Sequence, residues 1–255
     1  MPDVLSITKP ALQADQFRLD SIGRNVANST TSGYKRSVTS AIIFDSFLDA
    51  TAGSSGGAPA VVNSSASSVS LFVPTLQSAV DSTQAGLLLT NRSLDLAIDG
   101  AGFFAVSDGK GLALTRAGAF SVDQSGWLVN ARGARVQGQG GDVHVGVGKI
   151  ALVDGRGRIT TDGQLIDTLK LLTVSVGARL TSRDGLSLVS NTGEYVDADW
   201  SKATVRSGFL EASNSTGVRE SVGMVETMRH YESLIRLYQG YDDILGKTIQ
   251  KLGDL

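Results

Sequence analysis

The last forty residues constrain this chain more than any other stretch. From Met224 onward, positions 224, 228, 231, 235, 238, 242, 245, 249 and 252 advance in alternating steps of four and three, the spacing of a coiled-coil seam. They hold Met224, Met228, Tyr231, Ile235, Tyr238, Asp242, Leu245, Ile249 and Leu252, so only Asp242 breaks the apolar pattern. Arg219, Glu220, Glu226, Arg229, Glu232, Arg236, Asp243, Lys247 and Lys251 put charge on the other faces, as an amphipathic helix requires. At about 1.5 Å per residue, a forty-residue helix reaches roughly 60 Å, about twice the diameter of a small domain. The spacing therefore predicts a helix that projects and buries its seam against partners. The alternative, a core helix packed lengthwise on a globular domain, exceeds the usual helix length of about 8–20 residues.

A second helical pattern stands at the other end. Leu5, Leu12, Leu19 and Val26 recur every seven residues with Ile22 between the last two, while Thr8, Asp15 and Ser29 fill the remaining seam positions, which leaves half a seam. Thr8 as a cap and Pro10 in the first turn, where a missing N–H costs little, predict a helix from about residue 9 to residue 28. The run Asn28-Ser29-Thr30-Thr31-Ser32-Gly33 ends it, because these side chains compete for backbone hydrogen bonds and Gly33 accepts a positive φ. An incomplete seam at one end and a fuller one at the other predict that the two pair with each other and with neighbouring copies. The alternative is a solitary surface helix.

Between the helices the composition changes twice. Residues 51–70 are small and polar, with too little apolar surface to offset ordering entropy, and read as a flexible tether or extended arm. The segment Phe44-Asp45-Ser46-Phe47-Leu48 before it fits either a contact with a neighbour or a small satellite of the core. From about residue 71 to 214 the pattern is β, with strands expected near 94–98, 102–106, 127–129, 143–147, 149–153, 169–174, 186–189 and 205–210. Asp108-Gly109, Asp154-Gly155, Asp162-Gly163 and Asp184-Gly185 supply turns. Short strands without intervening helices predict an antiparallel barrel or sandwich inserted between the two halves of a helical domain. The expected class is thus α+β, mainly β. Its parts are an N-terminal helix (1–35), a linker (36–70), a β-domain (71–214) and a C-terminal coiled-coil helix (215–255).

The composition narrows the chemistry. A net charge of -2 over 255 residues leaves no basic footprint for nucleic acid, and the absence of cysteine excludes disulfides and thiolate sites. No apolar run approaches the ~18 residues that span a membrane, and Asp3, Lys9, Asp15, Gln16 and Arg18 interrupt any signal-peptide core. His144 and His230 are the two histidines, one in an alternating segment and one beside the seam, so no ligand pair is proposed from them. Asp95 and Asp99 share a strand face, but Asp99-Gly100 reads as a turn entry rather than half of a catalytic carboxylate pair. The run Gly138-Gln139-Gly140-Gly141 lacks the spacing of a phosphate-cradling loop. Neither an enzyme nor a cofactor site is expected. A β-sandwich binding module, for instance for carbohydrate, is the remaining alternative, with Trp127 and Trp200 as its two tryptophan platforms.

Three blocks carry a family resemblance. Leu19-Asp20-Ser21-Ile22 followed by Asn25-Val26-Ala27-Asn28-Ser29-Thr30-Thr31-Ser32-Gly33-Tyr34-Lys35-Arg36 resembles the N-terminal signature of bacterial flagellar rod and hook proteins. The central stretch from Ser93 through Asp95, Gly100, Gly102, Phe103 and Phe104 to Val106 resembles the family's middle block. Gly208-Phe209-Leu210-Glu211-Ala212-Ser213-Asn214-Ser215, opening into Glu220, Met224, Val225, Arg229, Tyr231 and Glu232, resembles its C-terminal block. The chain departs from the family pattern at Pro10 and at Ser215-Thr216-Gly217. Within the family, residues 135–145, 159–171 and 182–186 look more like the proximal-rod type, rod protein F, than like a distal-rod protein or the longer hook proteins. The resemblance implies an axial rod subunit that polymerises through its terminal helices. Its implied partners are copies of itself, other rod and hook axial proteins and the flagellar type III export apparatus. It also implies a place in the periplasmic part of the basal body without signal cleavage, and no cofactor or membrane insertion.

Overall fold

The structure, a computed structural model, describes residues 4–42, 75–175 and 177–253. The expected tether at 51–70 and the Phe44 to Leu48 segment lie outside the described residues. The chain opens with α1 (Val4–Ala27), β1 (Ser37–Ile42), β2 (Thr75–Val80) and β3 (Leu87–Leu89). It continues through β4 (Leu96–Gly100), β5 (Phe103–Ser107), β6 (Leu112–Thr115), β7 (Phe120–Val122), β8 (Leu128–Asn130), β9 (Arg135–Gly138) and β10 (Gly141–Asp142). Then come β11 (Ala151–Val153), β12 (Arg158–Thr161), β13 (Gln164–Thr168), β14 (Leu171–Val174), β15 (Leu180–Ser182) and β16 (Leu188–Ser190). Last are β17 (Tyr195–Asp197), β18 (Ala203–Ser207), β19 (Phe209–Glu211) and α2 (Gly217–Gly253). Two compact units divide these elements, one of Met1–Gly23, Thr39–Ser78 and Ser221–Leu255, the other of Arg24–Val38 and Ala79–Glu220.

In the first unit the two helices meet between residues 15–22 of α1 and 223–231 of α2. A Cβ on Gly223 would meet Ile22 Cδ1 at 3.6 Å, Asp15 Oδ2 lies 2.6 Å from His230 Nδ1, and the Gln16 amide donates to the Tyr231 hydroxyl at 3.4 Å. Falling numbers on α1 meet rising numbers on α2, so the pair is antiparallel. Two expectations need correction. The first helix begins at Val4 rather than near residue 9, and Pro10 lies inside it, since one missing N–H removes a single ladder bond while the turns on either side persist. On α2, Thr227 is 3% exposed and the expected seam residue Met228 is 48% exposed, so the stripe facing α1 sits one residue earlier at that position. Tyr241 is likewise half-buried where Asp242 is exposed, which removes the one break in the apolar pattern.

The second unit is built on strand pairs. β4 and β18 pair antiparallel through five successive partners from Leu96↔Ser207 to Gly100↔Ala203, so the excursion between them starts and finishes on neighbouring strands. Inside it, the order β15-β16-β6-β5-β9-β8-β7 forms the main path, with β10 on β9, β14 on β5 and β17 on β14. A second sheet runs β11-β12-β13, and β3 pairs with β19. The main path does not return on itself, so the described residues form no closed barrel, in contrast to one of the two expected forms. The region expected as a strand at 143–147 contributes a single bridge, His144 to Trp127, because Gly146 and Gly148 adopt positive φ there.

β5 explains why Phe103 and Phe104 stand side by side. Successive strand residues face opposite sides. Phe104 and Val106 enter one core with Leu96, Ile98, Phe120, Leu128 and Ile159, while Phe103 and Ala105 enter another with Leu114, Leu172, Leu180 and Leu188. Phe104 meets Phe120 edge to face at 5.2 Å. A strand buried on both faces needs both aromatics.

Candidate functional site

The three signature blocks meet in one buried polar junction inside the second unit. Asn25, on the last turn of α1, is 1% exposed and fully engaged. Its amide donates to the Ser37 carbonyl (2.9 Å) and to Glu220 Oε2 (3.1 Å), and its Oδ1 accepts from the Ser37 N–H and the Tyr34 hydroxyl, both at 2.9 Å. Its backbone carbonyl accepts from the Ser215 hydroxyl at 3.1 Å. The helix ends there because Asn28 and Ser29 side chains cap the Arg24 and Val26 carbonyls and Gly33 takes φ +75°. Any side chain at Gly33 would also meet the Ala117 backbone at 2.3 Å.

Beyond that turn, Lys35 is wholly buried. Its ammonium donates to Glu211 Oε1 and to the Thr83 carbonyl, both at 2.6 Å. Glu211 also accepts from the Ala85 N–H (2.9 Å) and, through Oε2, from Arg116 Nη1 (2.9 Å). Arg116 continues to the carbonyls of Ile98 (3.2 Å) and Gly100 (2.7 Å), with its guanidinium 5.1 Å from the Phe103 ring centre. Gly100 is required where it stands: it takes φ +114°, and a Cβ would fall 2.1 Å from the Lys202 carbonyl. Arg36 pairs with Glu220, and its N–H donates to Asn214 Oδ1 at 2.6 Å, while the Asn214 amide reaches the Asp81 carbonyl at 2.9 Å. Burial pushes the Lys35 ammonium below its usual range against the pull of Glu211, and burial pushes the Tyr34 hydroxyl up.

Of the residues singled out by sequence, Asn25, Asn28, Gly33, Tyr34, Lys35, Gly100, Phe103 and Asn214 thus come together at or beside this junction. Phe104 lies in the core, and Gly102 takes a positive φ beside it. Ala27 and Thr30 are exposed. Asp95 is buried beside Arg92 at 3.9 Å, and Ser213 contributes its hydroxyl to the Ser215 N–H. Sequence reasoning missed the centre of the junction. In the sequence Glu211 is one member of the C-terminal block among many, Glu220 has the pattern of a solvated flank, and Arg116 carries no signal at all. The one available clue was two acidic residues beside a helix start, with two adjacent cations at the far end of the chain.

The seam residues divide. Ile22 is buried, and Leu12, Leu19, Val26, Met224, Tyr231 and Ile235 are half-buried. Met228 and Tyr238 are 48% and 44% exposed. Leu245, Ile249 and Leu252 stand on α2, but their side chains lie outside the described residues. The two histidines are far from one another in role: His230 faces Asp15, and His144 lies edge-on to Trp127 with its Nε2 3.0 Å from the Ser125 carbonyl. Asp99 pairs with Arg206 at 2.8 Å. Among the described residues no cluster of three or more metal-ligating side chains occurs, and no helix is long and apolar enough to cross a membrane.

Comparison with known proteins gives this geometry its setting. Residues 97–208, the excursion closed by β4 and β18, match the model of the flagellar hook protein FlgE/F/G D1 domain. Residues 206–251 match the model of the flagellar basal body rod FlgEFG protein C-terminal region. The chain is 31% identical to the flagellar basal-body rod protein FlgG of Bacillus subtilis, covering 92% of this chain and 93% of that one. It is 30% identical to the rod protein FlgF of Caulobacter vibrioides, covering 93% and 92%. Against the flagellar hook protein FlgE of Treponema pallidum it is 39% identical over half of this chain, but spans 27% of that protein. The chain belongs to the flagellar basal-body rod and hook protein family.

Proposed function

We propose that this chain is a structural axial subunit of the flagellar basal-body rod, polymerising through its two terminal helices, with no catalytic role. The observation that carries the reading is the unspent apolar surface of α2. While one stripe faces α1, Val218, Val222, Val225, Met228 and Tyr238 remain 81%, 55%, 51%, 48% and 44% exposed on a 37-residue helix. Surface of that kind calls for neighbours. Near full-length coverage of rod relatives, against a quarter of the hook relative, supports a rod rather than a hook subunit. The identities of 31% and 30% do not separate the two rod types, and residues 135–145, 159–171 and 182–186 favour the proximal, F-type assignment. Partners on this reading are further copies, the adjoining rod and hook proteins, and the type III export apparatus, which passes unfolded chains. A chain without cysteine suits that route, since no disulfide forms before export.

The test is complementation of a strain lacking the gene with Met228→Asp, Tyr238→Asp and the double variant. On this reading motility and rod completion fail while the purified protein keeps its melting transition. Normal swimming by the double variant would overturn the reading.

A further inference from the structure

Loops on the second unit enclose a groove of about 400 Å³ lined by Gln139, Leu169, Lys170, Asp197, Ala198 and Trp200, within the roughly 300–1,000 Å³ of small-ligand sites. Its wall is an indole held in a particular way. A Cβ on Gly157 would fall 2.3 Å from Trp200 Cη2 and 3.2 Å from both Cζ2 and Cζ3. Equal distances to the two flanking atoms put Gly157 in line with the ring's edge, so the ring abuts the backbone edge-on and Gly157 covers neither face. Trp200 is half-buried and packs against the core cluster to which Ala198, 6% exposed, belongs.

The groove also holds unspent polar groups. Among the described residues, the Gln139 amide, the Lys170 ammonium, the Asp197 carboxylate and the Trp200 indole N–H make no hydrogen bond or ion pair within the chain. The other tryptophan has no such freedom: the Arg135 guanidinium lies 4.7 Å over the Trp127 ring and His144 packs against it at 4.7 Å. One ammonium and one carboxylate cancel, so the groove offers no field for a phosphate backbone. An aromatic wall with donors and acceptors but no net charge fits a pyranose, which shows a flat C–H face to a ring and hydroxyl or acylamino groups at its rim.

We propose that this groove binds a saccharide chain, one ring against Trp200 and its hydroxyl or N-acyl groups on Gln139, Lys170 and Asp197. The site is separate from the helices and does not depend on the rod assignment. The probe is the β-1,4-linked tetramer of N-acetylglucosamine, added to the full-length ¹⁵N-labelled protein, whose two indole N–H signals are assigned with Trp127→Phe. The Trp200 signal shifts saturably with a Kd of about 1 mM or tighter while the Trp127 signal stays. Trp200→Ala weakens binding by about tenfold or more. If that variant does not fold, Asp197→Asn, at an exposed position, carries the test by the same loss of affinity. No saturable shift up to about 10 mM, unchanged affinity in these variants, or a shift produced only by a blocked tetrapeptide overturns the proposal.

Discussion

Glu211 accepts a 2.6 Å hydrogen bond from the ammonium of Lys35, 176 positions earlier in the chain, and both side chains are fully withdrawn from water. The other oxygen of the same carboxylate holds Arg116 at 2.9 Å. One anion thus answers two buried cations from different parts of the chain. Glu211→Gln keeps the shape and removes the charge, leaving both cations without their counter-ion. We expect a loss of about 3–5 kcal/mol in urea unfolding. Removing the exposed Arg158–Asp154 pair by Arg158→Ala should cost less than about 1 kcal/mol. Equal losses for the two would show that the buried group is not what holds the junction.

Tyr34→Phe removes one of the two donors to Asn25 Oδ1 and leaves the Ser37 N–H in place. The acceptor stays satisfied, so the expected loss is about 0.5–1.5 kcal/mol. Asn25→Asp is predicted to be worse than Tyr34→Phe, because it sets a second carboxylate against Glu220, whose Oε2 now takes the Asn25 amide at 3.1 Å. Thermal melts of the two variants rank them directly.

Thr227 and Met228 are neighbours in sequence and opposite in environment, at 3% and 48% exposed. Thr227→Asp should separate α1 from α2 in the isolated protein, read as lost hydrogen-exchange protection along both helices. Met228→Asp should leave that protection intact. The reverse result would put the buried stripe back at position 228.

The second unit takes in Arg24–Val38 and Ala79–Glu220, so its folding needs both flanks of the junction. A chain of residues 24–220 is predicted to melt in one cooperative transition. A chain of residues 39–210, which lacks Asn25, Lys35, Glu211 and Glu220, is predicted to show none, by calorimetry at equal concentration.

The N–H of Lys110 and the guanidinium of Arg183 hold the Asp108 carboxyl below its ordinary range. A folded-state pKa below the unfolded one means that the unfolded chain binds the proton first. The contribution is therefore complete above the ordinary carboxylate value near ~3.9 and is lost as pH falls through the lower folded value. Asp108→Asn should destabilise the protein at pH 7, and the gap to the parent protein should narrow below about pH 4. A gap that is constant with pH would rule the carboxylate out.

The elements legible in the sequence were those with a local signal. The C-terminal helix showed its heptads, β5 its paired phenylalanines, and the turns their Asp-Gly steps. The buried stripe lies one residue ahead of the heptad reading at 227 and 241; Thr227 carries no hydrophobic signal, although its hydroxyl bonds back to the Gly223 carbonyl at 2.7 Å and lets it be buried in a helix. The junction was half legible. Asn25, Lys35 and Asn214 stood out by family pattern, but the partners that make sense of them, Glu211 and Arg116, are joined by distances along the chain that no periodicity encodes. Pro10 misplaced the first helix start because a rule about turns outweighed the continuity of the helix around it.

Glu211 follows Lys35 by 176 positions and Arg116 by 95, which sets an order of events during synthesis. A growing chain that has delivered Lys35 and Arg116 but not yet Glu211 owns two cations that cannot leave water at tolerable cost. It is expected to stay open until Glu211 has been made. Arrival of Glu211 and the capacity of the second unit to close then become the same moment, and a product terminated before that position is marked by its failure to close.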